Sequence, residues 1–227
     1  MKIIRTQIRS QKKVAENTLE IQFVRPKDFE FVAGQYIQIA LDRLSYPDPK
    51  GPSRTFSICS SPFEKDAVTI IFRDTGSGYK KTLSELDVGS EVTLEGPFGH
   101  FVLPKSANLK HVFVAGGIGV SPFVSMIKST LTEGLDSSID LLYANRNQES
   151  AAYLENLKNM SSNSYTFSLD LIFGRLGAND IQKYVKDSSN TLWWVVGPPG
   201  MVAEVKHILA SLQIPDAKIR FEEFVGY

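Results

Sequence analysis

From about residue 106 onward the chain repeats one pattern, and that pattern leaves few folds open. A short apolar run comes first, then a turn, then a stretch with helical spacing. The runs are HVFVA (111–115), IDLLYA (139–144), TFSLDLIF (166–173) and TLWWVVG (191–197), and KIRFEEF (218–224) closes the chain. Helices are expected over about 121–132, 150–159, 179–186 and 200–212. Strands apolar on both faces must be covered on both faces, and strands alternating with helices pair in parallel. The second half is therefore expected to be a five-stranded parallel sheet with helices on either side.

The first hundred residues read differently. MKIIRTQIRS, LEIQFVRP, GQYIQIAL, RTFSICSS, AVTIIFRD and EVTLEGPFG are short, strand-like and bounded by Gly, Pro, Asp or Asn. Six such strands suggest a small antiparallel barrel, with one helix-like interruption at Lys81–Leu86. The pattern changes near Pro104–Asn108, so the expected domains are 1–105 and 106–227. Each is large enough to fold around its own core. The expected fold class is α+β with two domains, an antiparallel β-barrel followed by an α/β parallel-sheet domain.

Composition narrows the function. The 25 Lys and Arg balance 25 Asp and Glu, so nothing in the net charge points to nucleic acid. No apolar run reaches the roughly 18 residues of a membrane span. The N-terminus, MKIIRTQIRSQKK, lacks the apolar segment of a secretory leader. Neither membrane insertion nor a leader is expected. The single cysteine, Cys59, can make no intrachain disulfide and cannot alone build a zinc or iron–sulfur site. It is expected to be a small buried residue in a protein of the reducing cytoplasm. His100, His111 and His207 show no metal-ligand spacing, and no metal site is expected.

Two loops and one strand carry the chemistry. HVFVA runs directly into Gly116-Gly-Ile-Gly-Val-Ser-Pro122, followed by a helix. Glycines let the backbone approach a bulky anion, and free N–H groups at the helix start bind it. Ser121 is expected to cap the helix or donate to the anion, with Pro122 at the first helical position. Pro122 stands where G-x-G-x-x-G asks for a third glycine, so this loop alone indicates a phosphate or a dinucleotide. Val196-Gly-Pro-Pro-Gly-Met201 should lie at the same carboxyl edge of the sheet, where ligands of open α/β sheets bind. In GPSRTFSICSSP (51–62), Arg54, Phe56 and Ser57 share one strand. A cationic fork, a flat ring and a hydroxyl suit a ligand with a phosphate, an apolar ring and a polar ring edge. A solvated strand face is the plainer alternative.

Taken in order, R-x-F-S-x-x-S at 54–60, GPFGHF at 96–101, GGIGVSP at 116–122, GPPGM at 197–201 and Glu222-Glu-Phe224 resemble the ferredoxin–NADP reductase superfamily. The resemblance covers essentially the whole chain. It implies a flavin-binding barrel and a pyridine-nucleotide domain. Arg54 would pair with a flavin phosphate, and Phe56, beside Thr55, would lie against the isoalloxazine ring. Ser57 would hydrogen-bond near flavin N5. The strand holding Ile70, Phe72 and Arg73 would contact flavin through its backbone. Gly78, Lys80, Lys81 and Thr82 fall in the segment that binds flavin pyrophosphate in the family. Gly116, Gly117, Gly119, Ser121 and Pro122 would hold the nucleotide pyrophosphate, with Gly197, Pro198 and Met201 by the nicotinamide. Glu222 would share catalytic work with Ser57, and Phe224 or Tyr227 would cover the ring face.

The sequence also departs from the family pattern. Lys80 stands where a Ser is usual, and FAD is the expected flavin with FMN less favoured. Val196 replaces a frequent Cys. Arg175 matches the place where NADP-using members bind the 2′-phosphate, with Gly174 where a Ser would sit, and Arg146 is a second basic candidate. The expectation leans to NADPH over NADH. The function implied is a flavin-dependent NAD(P)H oxidoreductase that passes hydride to flavin N5 and electrons to ferredoxin, flavodoxin or an oxygenase component. The alternatives are a free-flavin reductase, an electron-transfer subunit of a larger complex, and a nucleotide-binding regulatory module without flavin.

Overall fold

The computed structural model describes residues 2–104, 109–185 and 190–224. The first six strands are β1 (Lys2–Ala15), β2 (Thr18–Val24), β3 (Tyr36–Ala40), β4 (Ser53–Ser57), β5 (Ala67–Arg73) and β6 (Glu91–Phe98). They form an antiparallel sheet in the order β4-β3-β6-β1-β2-β5. β1 runs past the expected Ser10, pairing its first part with β6 and its second with β2. Register shifts near Ile8–Ser10 and Lys13–Ala15 bend it around the core. β4 stops at Ser57, earlier than expected, because the chain then leaves β3 for β5. Ile58 N–H donates to Gln35 and Cys59 N–H donates to the Thr69 carbonyl at 2.7 Å. Thr69 N–H donates in turn to Ser60 Oγ at 3.0 Å, which brings the sheet's two ends together as a barrel. Alternate residues, among them Ile21, Phe23, Ile37, Ile39, Ile70, Phe72, Val92 and Leu94, fill its interior. Helix α1 (Gly78–Ser84) starts earlier than Lys81 because the Ser77 side chain caps it, accepting from Lys80 N–H.

The second sheet is parallel throughout, in the order β11-β10-β7-β8-β9. Its strands are β7 (Lys110–Gly116), β8 (Ser138–Asn145), β9 (Phe167–Phe173), β10 (Thr191–Gly197) and β11 (Ile219–Glu223). The helices are α2 (Val120–Glu133), α3 (Leu154–Ser162), α4 (Ala178–Gln182) and α5 (Pro199–Ser211). Phe113, Leu141 and Val196 face α2 and α3, while Val112, Leu142 and Val195 face α4 and α5. This is the double cover that the apolar runs require. α3 begins later than expected because Ser150 closes a turn on Asn147 and Tyr153 takes a left-handed φ of 58°. α4 is shorter than the expected 179–186, whose last residue lies outside the described residues, as does the expected boundary at 105–106.

The barrel docks on the α2–α3 face. Ala33, Cys59, Ile71 and Phe101 join the apolar cluster there. Around it, Ser125 Oγ donates to the Ser60 carbonyl at 2.6 Å, Lys128 pairs with Glu64 at 2.9 Å, and the Tyr153 hydroxyl donates to Glu20. Cys59 is buried, and burial pushes its thiol up to about 12. Among the described residues no helix is long and apolar enough to cross a membrane.

Candidate active site

The glycine loop sits where β7 meets α2. Gly117–Gly119 form one 3-10 turn, and Gly117 has a φ of 53°. The other glycines answer to packing. A Cβ on Gly119 would lie 2.4 Å from the Val196 carbonyl oxygen, and one on Gly116 would lie 2.4 Å from Met201 Sδ. One on Gly197 would lie 2.6 Å from Met201 Cε. The loops after β7 and β10 can lie together only without side chains at these positions. Gly119, Gly197, Met201 and Pro122 therefore stand behind the surface that Gly116 and Gly117 present. Two expectations need correction. Gly119, not Ser121, is the N-cap of α2, and Pro122 is its third residue, still within the first turn where no N–H is missed. The Ser121 hydroxyl lies 3.4 Å from the Ser57 carbonyl of the barrel.

A cavity of about 540 Å³ opens between the two sheets. The barrel contributes Tyr36, Arg54, Thr55, Phe56, Ser57, Ile71, Phe72, Arg73, Thr75 and Lys80 to it. The parallel sheet contributes Gly116, Gly117, Ile118, Ser121, Pro198, Pro199, Glu222, Glu223 and Phe224. Four of the five sequence motifs thus meet in one place, while GPFGHF gives no residue to the wall. Phe56 reaches the cavity only at its edge, since its ring packs 5.8 Å from Phe72 and 6.1 Å from Tyr79 in the barrel. The Ile70 side chain stays inside the barrel and does not reach it, while the same strand lines the cavity through Ile71, Phe72 and Arg73. Lys81 points away, its Nζ 3.8 Å from the centre of the Tyr46 ring. Thr82 is also turned away, donating to the Gly78 carbonyl and accepting from Ser45 N–H. Gly78 is pressed by the loop before β4, where a Cβ would lie 2.2 Å from the Pro47 carbonyl oxygen. Tyr227 lies outside the described residues.

Electrostatics in the cavity differ from expectation at Arg54. Its Nη2 donates to Asp48 Oδ1 at 2.5 Å and its Nη1 to the carbonyls of Lys50, Gly51 and Ser53. Asp48 also accepts from the N–H groups of Tyr79 and Lys50, and these, ahead of Arg54, hold its carboxyl down at about 2. The arginine expected to face a phosphate is thus held by a carboxylate, leaving its buried Nε without a hydrogen-bond partner. Lys80 is buried at the wall, and that burial pushes its amine down to about 8. Burial pushes the Glu222 carboxyl up to about 7. Phe224 N–H donates to the Gly197 carbonyl at 2.9 Å, tying the residue just after β11 to the end of β10. Arg146 and Arg175 stand off the cavity wall, paired with Glu16 at 2.6 Å and Glu204 at 3.0 Å. Sequence reasoning missed Tyr36, Asp48, Ile71, Thr75, Ile118, Pro199 and Glu223. Asp48 sits in a Pro-Asp-Pro-Lys-Gly turn with no periodic signal, and β5 is apolar on both faces, so its phase could not be read.

Comparison with known proteins agrees with this geometry. The oxidoreductase FAD-binding domain model matches residues 5–103 and the oxidoreductase NAD-binding domain model matches residues 113–171. The ferredoxin reductase component of 3-ketosteroid-9-alpha-monooxygenase from Mycobacterium tuberculosis is 26% identical over 208 residues, covering 88% of this chain and 57% of that protein. Phthalate dioxygenase reductase from Burkholderia cepacia is 30% identical over 160 residues, 68% of this chain and 47% of that protein. The chain spans about half the length of these relatives. Ferredoxin-NADP+ reductase from Plasmodium falciparum superposes with a TM-score of 0.80 at 18% identity, over 98% of this chain and 96% of that one, a likeness of fold. The two matches place an oxidoreductase FAD-binding domain ahead of an oxidoreductase NAD-binding domain in this chain. The chain belongs to the ferredoxin–NADP reductase superfamily.

The cavity suits FAD. It has an apolar wall at Ile71 and Phe72, a hydroxyl at Ser57, a cation at Lys80 and an unpartnered donor at Arg54 Nε.

Proposed function

We propose that this chain takes electrons from NAD(P)H and passes them, through FAD held in the cavity, to a protein acceptor such as a ferredoxin, a flavodoxin or an oxygenase component. The observation that carries this reading is the convergence of R-x-F-S, the glycine loop and the C-terminal acid–aromatic segment on one cavity between the domains. Residues 1–105 act as the flavin domain and 106–227 as the nucleotide domain. Bound FAD would supply a hydride acceptor that can release electrons singly.

The chain's own residues bind and orient. Thr55, Ile71 and the edge of Phe56 form the surface for a flat ring. Ser57 gives the ring's polar edge a hydrogen-bonding hydroxyl. Lys80 and Arg54 Nε face the phosphates. Gly116, Gly117 and Ile118 leave room for the nucleotide, while Pro198 and Phe224 bound the space for nicotinamide. Glu222, with its carboxyl near 7, holds or gives up a proton at neutral pH. With one cysteine in the sequence, an iron–sulfur acceptor would lie outside these residues. The buried free thiol of Cys59 supports a cytoplasmic setting.

The test is steady-state electron delivery. FAD-loaded protein with NADH or NADPH should reduce an added [2Fe–2S] ferredoxin faster than it reduces free FMN. Reduction of free flavin alone would contradict a protein acceptor.

A further inference from the structure

After β9 the chain turns sharply. Gly174 has a φ of 114° and its N–H donates to the Asn145 carbonyl at 2.8 Å, so the turn is pinned to the end of β8. Arg175 is thereby sent back across the carboxyl edge of the sheet to α5. Its Nε lies 3.1 Å from both carboxylate oxygens of Glu204, and its Nη2 lies 3.0 Å from one of them. Glu204 stands three residues along α5 from Met201, hence on the same flank one turn away. Met201 fills the space beside Gly116. The pair therefore lies one turn farther along α5 than the residue that packs on the glycine loop.

We propose that Glu204 sets the coenzyme preference, and that by occupying the fork of Arg175 it makes NADH the better partner than NADPH. The inference rests on the reductase reading and names the nucleotide for that site. With nicotinamide beside Pro198 and Phe224 and the diphosphate at Gly117, a dinucleotide laid along the carboxyl edge of the sheet would bring its adenosine ribose toward the ends of β8 and β9. NADH and NADPH differ there by one phosphate. A lone arginine would meet that phosphate with paired donors. With Glu204 in the fork the local charge is neutral, and an added dianion lies against a carboxylate. A ribose 2′-hydroxyl instead finds an acceptor. The other basic candidate, Arg146, is also taken, with Nη2 2.6 Å from Glu16 Oε2. The Arg175 and Glu204 side chains are 84% and 33% exposed, so the fold gains little from their pairing. The NADPH expected from Arg175 alone gives way to NADH once Glu204 is counted.

The test uses adenosine ligands that lack nicotinamide, titrated calorimetrically into the full chain. Wild type should bind 5′-AMP at least as tightly as 2′,5′-ADP. Glu204→Gln should tighten 2′,5′-ADP about tenfold and leave 5′-AMP within about twofold. Adding Arg175→Ala to that variant should abolish the gain. Wild type that already prefers 2′,5′-ADP, or a Glu204→Gln variant that changes neither ligand, would overturn the proposal. These ligands report without flavin. If they behave as stated while neither NADH nor NADPH bleaches bound flavin, the reductase reading fails and the adenosine preference stands. Bleaching whose nucleotide preference Glu204→Gln does not move overturns the role of Glu204 alone.

Discussion

Arg54 and Arg175 were both marked by the sequence for phosphates, and both meet carboxylates, in opposite settings. The Arg54–Asp48 side chains are 5% and 3% exposed; those of Arg175–Glu204 are 84% and 33% exposed. The first pair is framework. Asp48 ties the loop before β4 to α1 through Tyr79 N–H, and Arg54 ties the same loop through three carbonyls. The second pair is largely exposed and adds little to the fold, so its charge bears on a ligand rather than on stability. An arginine–carboxylate pair thus builds a wall in one domain and, as proposed, a selectivity element in the other, and burial decides which.

The largest expected effect tests the buried pair. Asp48→Ala leaves a buried guanidinium without its carboxylate and should lower Tm by roughly 5–10 °C in a thermal melt. An unchanged Tm would show that Arg54 needs no partner. Next comes the contact between the two glycine loops. Gly119→Ala places a methyl 2.4 Å from the Val196 carbonyl oxygen, and should cost about 1–3 kcal/mol in urea unfolding. It should also weaken NADH binding more than FAD binding.

Glu222 supplies the pH test. Its folded-state carboxyl is raised from 4.5 to about 7, so stability is fully present below pH 4.5 and falls as pH rises through 7. Glu222→Gln should remove that slope, and with it a transition near pH 7 in the rate of flavin reduction by NADH. The smallest effect sharpens the comparison from its other side. Arg175→Ala should leave Tm within about 1 °C of wild type. A drop as large as that of Asp48→Ala would abolish the distinction between the two pairs.

Much of this was legible in the sequence because it rests on periodicity and punctuation. Apolar runs alternating with helices require a doubly covered parallel sheet, and GGIGVSP and GPPGM fall at its carboxyl edge as strand-to-helix turns must. The order of motifs pointed to the cavity as well. What escaped was partner choice. Nothing in the spacing of Asp48 and Arg54, or of Arg175 and Glu204 across β10, shows that the chain brings them together. Facing was not legible where both sides of a strand are apolar, so Ile71 went unmarked in a strand expected to offer its backbone. Helix starts shifted where a side-chain cap at Ser77 or a left-handed Tyr153 set them.

The most direct test of the central claim is an anaerobic absorbance titration of FAD-loaded protein with NADH and, separately, NADPH. The bound flavin should bleach stoichiometrically, at lower concentration with NADH. Failure to bind FAD, or bound flavin that neither nucleotide reduces, would contradict that claim.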